Sequence, residues 1–192
     1  MLFLLDEGVS SSPADTLLGE GDNKIYILLT DTKTRFSKIS RFVTRDPYNH
    51  VSIMTSADFE NVYTFALVNP NGVKGGLKKE NKDVLRGSRY TLYSILVDDA
   101  TYRKVNRLLG SYEKKLETTR YSHKALVNSM FKKEIFKSDH ETSMICSQFV
   151  LAVLDSIDVR IADEFNREAS TIRPYEIIKS KYLKFEKRGN IK

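Results

Sequence analysis

The spacing of apolar and polar residues predicts strands mainly in the first half of the chain. KIYILLT, residues 24–30, is apolar and β-branched without helical spacing, which is typical of a strand buried on both faces. HVSIMT (50–55) and VYTFALV (62–68) predict two more strands, joined into a hairpin by the polar SADFEN. SRYTLYSILV (88–97) also lacks helical spacing and predicts a fourth strand.

Apolar residues at helical spacing predict helices, most of them in the second half. One lies within 31–47 and ends at Pro47, and a second begins at a cap at Asp98 or Asp99. Residues 121–131 (YSHKALVNSMF) predict a third helix, and a short helix is expected after Pro174, before a terminal strand.

The segment ETSMICSQFVLAVLDS (141–156) predicts a further helix around the single cysteine of the chain. Thr142 or Ser143 is the expected cap. Its apolar face comprises Phe149, Val150, Val153, Leu154 and Ile157.

This order of elements predicts an α+β fold, with helices on one side of an antiparallel sheet. The 192 residues suit one domain over 23–192, preceded by an arm over 1–22 that is rich in Ser, Gly and Asp. The apolar run at its start, residues 2–5, is too short for a secretory signal or a membrane helix. We therefore expect a cytoplasmic or virion-associated protein.

Composition narrows the possible partners. The net charge is +6, which suits a polyanionic partner such as anionic lipid or the bacterial cell wall. Nucleic acid is disfavoured, because no zinc finger, helix-turn-helix or aromatic-basic motif accompanies the charge. The one cysteine and three histidines fit no structural zinc spacing, so no metal or other cofactor is expected.

Cys146 has two interpretations that the local pattern leaves open. It shares the apolar stripe of its helix, as a buried packing residue would. It also lies in the first turn, where free backbone N–H groups stabilise a thiolate and the oxyanion formed when that thiolate attacks a carbonyl. Of the possible bases, His140 lies in a polar loop, and His123 suits a surface or capping position. His50 opens a strand, where it can face a cleft.

YNHVSI (48–53), followed far downstream by ICSQFVLAVL (145–154), resembles the circularly permuted branch of the NlpC-type, papain-like cysteine hydrolases. The similarity is to the YiiX/YebB-like group, with lecithin retinol acyltransferase-like enzymes as more distant relatives. It extends over 23–185 and includes KIYILLTDTKTRFSKISRFVTRDPYNHVSI, VYTFALVNPNGVKGGLKKE and STIRPYEII.

The resemblance implies that Cys146 is the nucleophile and His50 the base, with the backbone N–H groups of Cys146 and Ser147 as oxyanion donors. Tyr48 and Tyr121 are expected to line the cleft. The third residue of such enzymes orients the imidazole from the paired strand. No Asp, Glu or His stands there, so Thr64 and Asn69 are the candidates.

The function implied is that of a thiol hydrolase, an amidase, peptidase or acyl-ester hydrolase acting on cell-wall peptides or lipid-linked acyl groups. The alternative is a structural or assembly protein of a phage or bacterial particle that keeps the fold and docks through residues 1–22. The glycine-rich GVKGG (72–76) lacks the context of a phosphate-binding loop and is expected to be a mobile loop at the rim of the cleft.

Overall fold

A six-stranded antiparallel sheet forms the centre of the protein, in the strand order β4-β3-β2-β1-β5-β8. This computed structural model describes residues 22–31, 46–67, 75–114, 118–137 and 143–192. The strands are β1 Asn23–Asp31, β2 His50–Met54, β3 Val62–Leu67, β4 Gly75–Glu80, β5 Arg89–Val97, β6 Arg120–Tyr121, β7 Ser143–Met144 and β8 Lys184–Asn190. The four strands predicted in the first half are confirmed, and so is the terminal strand.

The helices are α1 Lys82–Leu85, α2 Asp99–Glu113, α3 His123–Phe131, α4 Cys146–Asp155, α5 Ile161–Glu164 and α6 Pro174–Ile177, with a 3-10 turn at Ala169–Thr171. Asp98 caps α2 by accepting a hydrogen bond from the Thr101 N–H. The predicted third helix begins at His123 rather than at residue 121, because Tyr121 belongs to β6 and Ser122 is the cap. An α+β fold with an antiparallel sheet is confirmed.

Several predicted features lie outside the described residues. They include most of the helix expected within 31–47, the arm apart from Asp22, and the side chains of Asn69 and His140.

Alternation along the strands gives the sheet two apolar faces. Ile25, Ile27 and Leu29 of β1 join the larger core, against which α2 and α4 pack. Leu28 faces the other way, into a smaller cluster with Leu85 of α1 and Ile191 beyond β8. The central strand β1 is therefore apolar on both faces, as its sequence predicts.

The loop predicted for GVKGG is wrong in its last two residues, since Gly75 and Gly76 begin strand β4. Both glycines allow neighbouring backbone to pack closely. A Cβ on Gly75 would come within 2.5 Å of the Ala66 carbonyl oxygen, and one on Gly76 within 2.6 Å of the Thr119 carbonyl oxygen. No side chain fits there without moving the backbone.

Helix α4 crosses the sheet over β2 and β3 and carries Phe149, whose ring is fully buried. The Phe149 ring lies 5.4 Å from Phe65 of β3 and 5.3 Å from Tyr112 of α2, measured between ring centroids. This packing fixes the N-terminus of α4 above β2, where Cys146 meets His50.

Candidate active site

Cys146 is the first residue of α4, and only 5% of its surface is exposed. The first helical hydrogen bond runs from the Phe149 N–H to the Ile145 carbonyl, so the N–H groups of Cys146 and Ser147 are not used within the helix. The Ser147 N–H contacts the Cys146 sulfur. The N-terminus of α4 therefore directs backbone donors to the thiol.

The predicted cap of this helix is wrong. Ser143 belongs to β7, Thr142 lies outside the described residues, and the residue that precedes the helix is Ile145, which has no side-chain acceptor. Instead, Gln148 accepts a hydrogen bond of 3.2 Å from the Ile145 N–H. The side chain of Gln148 is buried.

His50 forms a hydrogen bond with Cys146, although the two residues lie far apart in sequence. His50 is the first residue of β2, opposite Thr30 of β1, and α4 lies across that strand. The backbone N–H of the next residue, Val51, also contacts the sulfur. Of the described histidines, His50 contacts the thiol, whereas His123 is exposed and packs its ring against Tyr121.

The two groups shift each other's protonation. Burial raises the pKa of the Cys146 thiol, but the hydrogen bond and charge of His50, with the two backbone N–H groups, outweigh it and lower the pKa overall. Burial lowers the pKa of His50, and the hydrogen bond and charge of the Cys146 thiolate more than reverse this. Both shifts favour a thiolate beside an imidazolium.

Thr64 is the side chain that contacts the other edge of the imidazole. Its fully buried hydroxyl lies 3.2 Å from Nε2 of His50 and donates a 2.9 Å hydrogen bond to the Val51 carbonyl. Because the hydroxyl has only one proton to give, it accepts from His50, and Nε2 carries a hydrogen. In the neutral ring, Nδ1 is then the basic nitrogen.

Tyr121 reaches the site through a pair of very short strands. β6 pairs in parallel with β7, with Tyr121 opposite Met144, two residues before Cys146. Burial, and then the charge of the Cys146 thiolate, raise the pKa of Tyr121 well above its usual value. The phenol therefore stays protonated and neutral in the neighbourhood of the sulfur.

The cleft above Cys146 is narrow, with a volume of about 30 Å³. Tyr48 and Tyr121 both line it, and Tyr48 accepts a hydrogen bond from the Thr91 hydroxyl of β5. The space holds about one or two water molecules. A larger substrate requires the walls to separate.

Sequence reasoning missed two charged residues of this cleft, Asp46 and Arg173. Nη1 of Arg173 lies 3.1 Å from Oδ2 of Asp46, and each side chain is 13% exposed. Arg173 directly precedes Pro174, within the segment STIRPYEII, where the sequence predicts only the start of a helix. Nothing in the local pattern indicates that this arginine returns to the cysteine helix.

A larger cavity of about 370 Å³ lies elsewhere along α4, lined by Gln148, Leu151 and Arg167 among others. Neither Cys146 nor His50 lines it. Because no nucleophilic side chain has been identified in this larger cavity, the smaller cleft, which Cys146 lines, is the candidate active site.

A solved structure has a similar fold. It is the crystal structure of YiiX from Escherichia coli O157:H7, described as a metalloprotein (DUF1105), with a TM-score of 0.51 and 11% sequence identity. The alignment covers 87% of this chain and 97% of YiiX. This chain has a YiiX-like fold. No protein-family model matches the chain, and no curated protein matches it either.

YiiX is described as a metalloprotein, and the side chains that the structure describes in this chain do not form a metal site. Within the described ranges, no group of three or more His, Cys, Asp and Glu residues comes together. Cys146 and His50 supply two donors, and the carboxylate of Asp46 in the cleft is paired with Arg173, whereas zinc sites in proteins use three or four free ligands.

No helix in the described parts of the YiiX-like fold has the length and apolar character needed to cross a membrane.

Proposed function

We propose that this protein is a thiol hydrolase or acyltransferase with a permuted papain-like site, in which Cys146 is the nucleophile and His50 the base. The observation that carries the proposal is the hydrogen bond between these two side chains at the N-terminus of α4. A thiolate paired with an imidazolium is the reactive state of such a nucleophile.

In the first half of the reaction, the Cys146 sulfur attacks the carbonyl carbon of an amide, ester or thioester. The thiol proton passes to Nδ1 of His50, and the carbonyl oxygen becomes an oxyanion. Backbone N–H groups of Cys146 and Ser147 stabilise that charge, at a position where a single lost donor costs about a hundredfold to a thousandfold in rate. The imidazolium then protonates the leaving nitrogen, oxygen or sulfur, which leaves an acyl-enzyme.

In the second half, His50 removes a proton from water, and the resulting hydroxide adds to the acyl carbon. The C–S bond breaks, the carboxylic acid departs, and the sulfur regains its proton from the imidazolium. An acceptor amine in place of water gives acyl transfer instead.

Thr64 supports this mechanism as the group that orients the imidazole. By accepting the hydrogen bond from Nε2, it keeps the basic Nδ1 available to Cys146. A neutral hydroxyl stabilises the imidazolium less than a carboxylate does, so we expect a slower enzyme than one with an acidic third residue.

The substrates we propose are cell-wall peptides or lipid-linked acyl groups, in keeping with the basic net charge of the chain. Residues 1–22 are the proposed contact to a protein partner, in a cytoplasmic or virion-associated setting.

The test is the rate of iodoacetamide alkylation as a function of pH. The chain has one cysteine, so the label reports Cys146 alone. In the wild type we expect the rate to rise with an apparent pKa below the ordinary thiol value of about 8.5. In His50→Ala, the apparent pKa should rise above that value. Burial still raises the pKa of the thiol, and the hydrogen bond and charge of His50 no longer lower it.

His123→Ala is the matched control, because it removes an exposed histidine. Its ring packs against Tyr121, so we expect a small change in the profile, far below that of His50→Ala. A folded wild-type protein whose thiol is inert, or whose profile is the same in His50→Ala, contradicts the proposal. That result would favour the assembly protein that keeps the fold without the chemistry.

A further inference from the structure

The cleft that exposes Cys146 also contains a guanidinium group. Arg173 lines it at the start of α6, and Asp46 supplies the carboxylate within it. No other charged side chain lines this cleft among the residues that the structure describes. Any group that approaches the sulfur therefore meets this one ion pair.

Arg173 is also held by Glu176. Its backbone N–H donates a 3.1 Å hydrogen bond to Oε2 of Glu176, and its Nε lies 3.4 Å from the same oxygen. Glu176 is in turn paired with Lys132 at 2.8 Å and with Arg167 at 3.0 Å. The guanidinium is thus fixed in place before any ligand arrives, which lowers the entropy cost of binding.

The Arg173–Asp46 contact shows what this guanidinium binds. A guanidinium matches the planar geometry of a carboxylate, and such charge-assisted pairs are stronger than neutral hydrogen bonds. Asp46 is itself part of the cleft wall, so a carboxylate that enters the cleft competes with it for the same donor. Glu176, only 6% exposed and tied to three cations, is not open to such exchange.

We propose that Arg173 is a specificity residue that binds a carboxylate of the substrate near the scissile acyl group, in exchange for Asp46. The enzyme then favours acyl substrates with a free carboxylate beside the bond that is cleaved. This inference rests on the proposed function, since it concerns the same cleft and the same nucleophile.

The experiment compares two alkylating probes of nearly equal size, anionic iodoacetate and neutral iodoacetamide. Each is attacked by the Cys146 thiolate, which displaces iodide and forms a C–S bond. The ratio of the two rates measures the preference of the cleft for a carboxylate. Because both probes react with the same thiolate, a change in its pKa cancels in the ratio.

In the wild type, we expect the iodoacetate-to-iodoacetamide ratio to exceed that of free cysteine under the same conditions. Arg173→Gln should lower the ratio about tenfold, the size expected for one charged hydrogen bond. Asp46→Asn should raise it by about threefold, because the internal competitor loses its charge. If Arg173→Gln folds poorly, the predicted rise of the ratio in Asp46→Asn still tests the proposal.

Arg167→Gln is the matched control. It removes the same charge and also loosens Glu176, but Arg167 lines the larger cavity rather than this cleft. Its ratio should stay near the wild-type value.

Two failures are distinguishable. A thiol that reacts with neither probe in the folded protein overturns the proposed function, and this inference with it. A reactive thiol whose ratio changes no more in Arg173→Gln than in Arg167→Gln, or falls in Asp46→Asn, overturns only the role of Arg173.

Discussion

At the scale of single residues, Cys146 combines the two interpretations that its sequence leaves open. It is 5% exposed and belongs to the main core, as the apolar stripe indicates. It also forms a hydrogen bond with His50 and contacts two backbone N–H groups. Burial alone would make the thiol inert, so its reactivity depends on these polar contacts.

Thr64→Val tests how much of that reactivity comes from the orientation of the imidazole. The change keeps the shape of the side chain and removes the hydroxyl that contacts Nε2. We expect alkylation at neutral pH to slow about tenfold, with the apparent pKa of Cys146 higher, because one hydrogen bond is worth about 1 kcal/mol or somewhat more.

Thr64→Ser is the control for that substitution, since it keeps the hydroxyl and should keep most of the rate. A Thr64→Val protein with the wild-type profile would show that the ring is held by other contacts.

At the scale of elements, the site depends on segments too short to show periodicity. β6 and β7 have two residues each, yet their pairing brings Tyr121 beside the start of α4. Strand β4 packs against the residue that precedes β6. Gly76 lies directly against Thr119, and the Leu77 N–H donates a hydrogen bond of 2.9 Å to the Thr119 hydroxyl.

Gly76→Ala should therefore destabilise the protein and disturb the cleft. The new Cβ would meet backbone atoms of Thr119, which must move, and we expect a loss of about 1–3 kcal/mol in the free energy of unfolding. Urea unfolding measures the loss, and the NMR signal of Tyr121 reports the local shift.

Gly110→Ala is the opposite case. Gly110 lies inside α2 with open space around it, so alanine should stabilise the protein by up to about 1 kcal/mol. Equal effects of the two substitutions would contradict the packing argument for β4.

At the scale of the whole molecule, Glu176 pairs with Arg173 in its own segment and links it to two other segments of the C-terminal half through Lys132 and Arg167. Burial raises the pKa of its carboxyl, but hydrogen bonds from Lys132, the Arg173 backbone and Arg167 lower it to about 2, from an ordinary 4.5. The folded state thus holds this carboxylate ionised more strongly than the unfolded chain does.

This difference predicts a dependence of stability on pH. The contribution of Glu176 is complete above pH 4.5 and is lost as the pH falls toward 2. It amounts to roughly 3 kcal/mol. Glu176→Gln should lose most of this at pH 7 and much less near pH 2, as urea unfolding at the two pH values would measure.

Glu134→Gln, at an exposed glutamate, should leave the free energy of unfolding nearly unchanged at both pH values. If Glu176→Gln cost the same at pH 7 and pH 2, the ion pairs would not be the source of the stability.

The sequence by itself determined the class of the fold and much of its order. The strands with β-branched runs and the long amphipathic helices follow from local periodicity, which each segment carries within itself. His50 at the start of a strand and Cys146 at the start of a helix were placed for the same reason.

The tertiary structure decided which of those residues meet. It selects His50 over His123 as the partner of the thiol, brings Thr64 to the imidazole, and returns Arg173 to the cleft beside Asp46. These contacts join segments far apart in the chain, and their distances depend on how α4 crosses β2 and β3. The local sequence pattern does not predict how one element crosses another. Side-chain periodicity indicates which face of an element is buried, and not which element packs against that face.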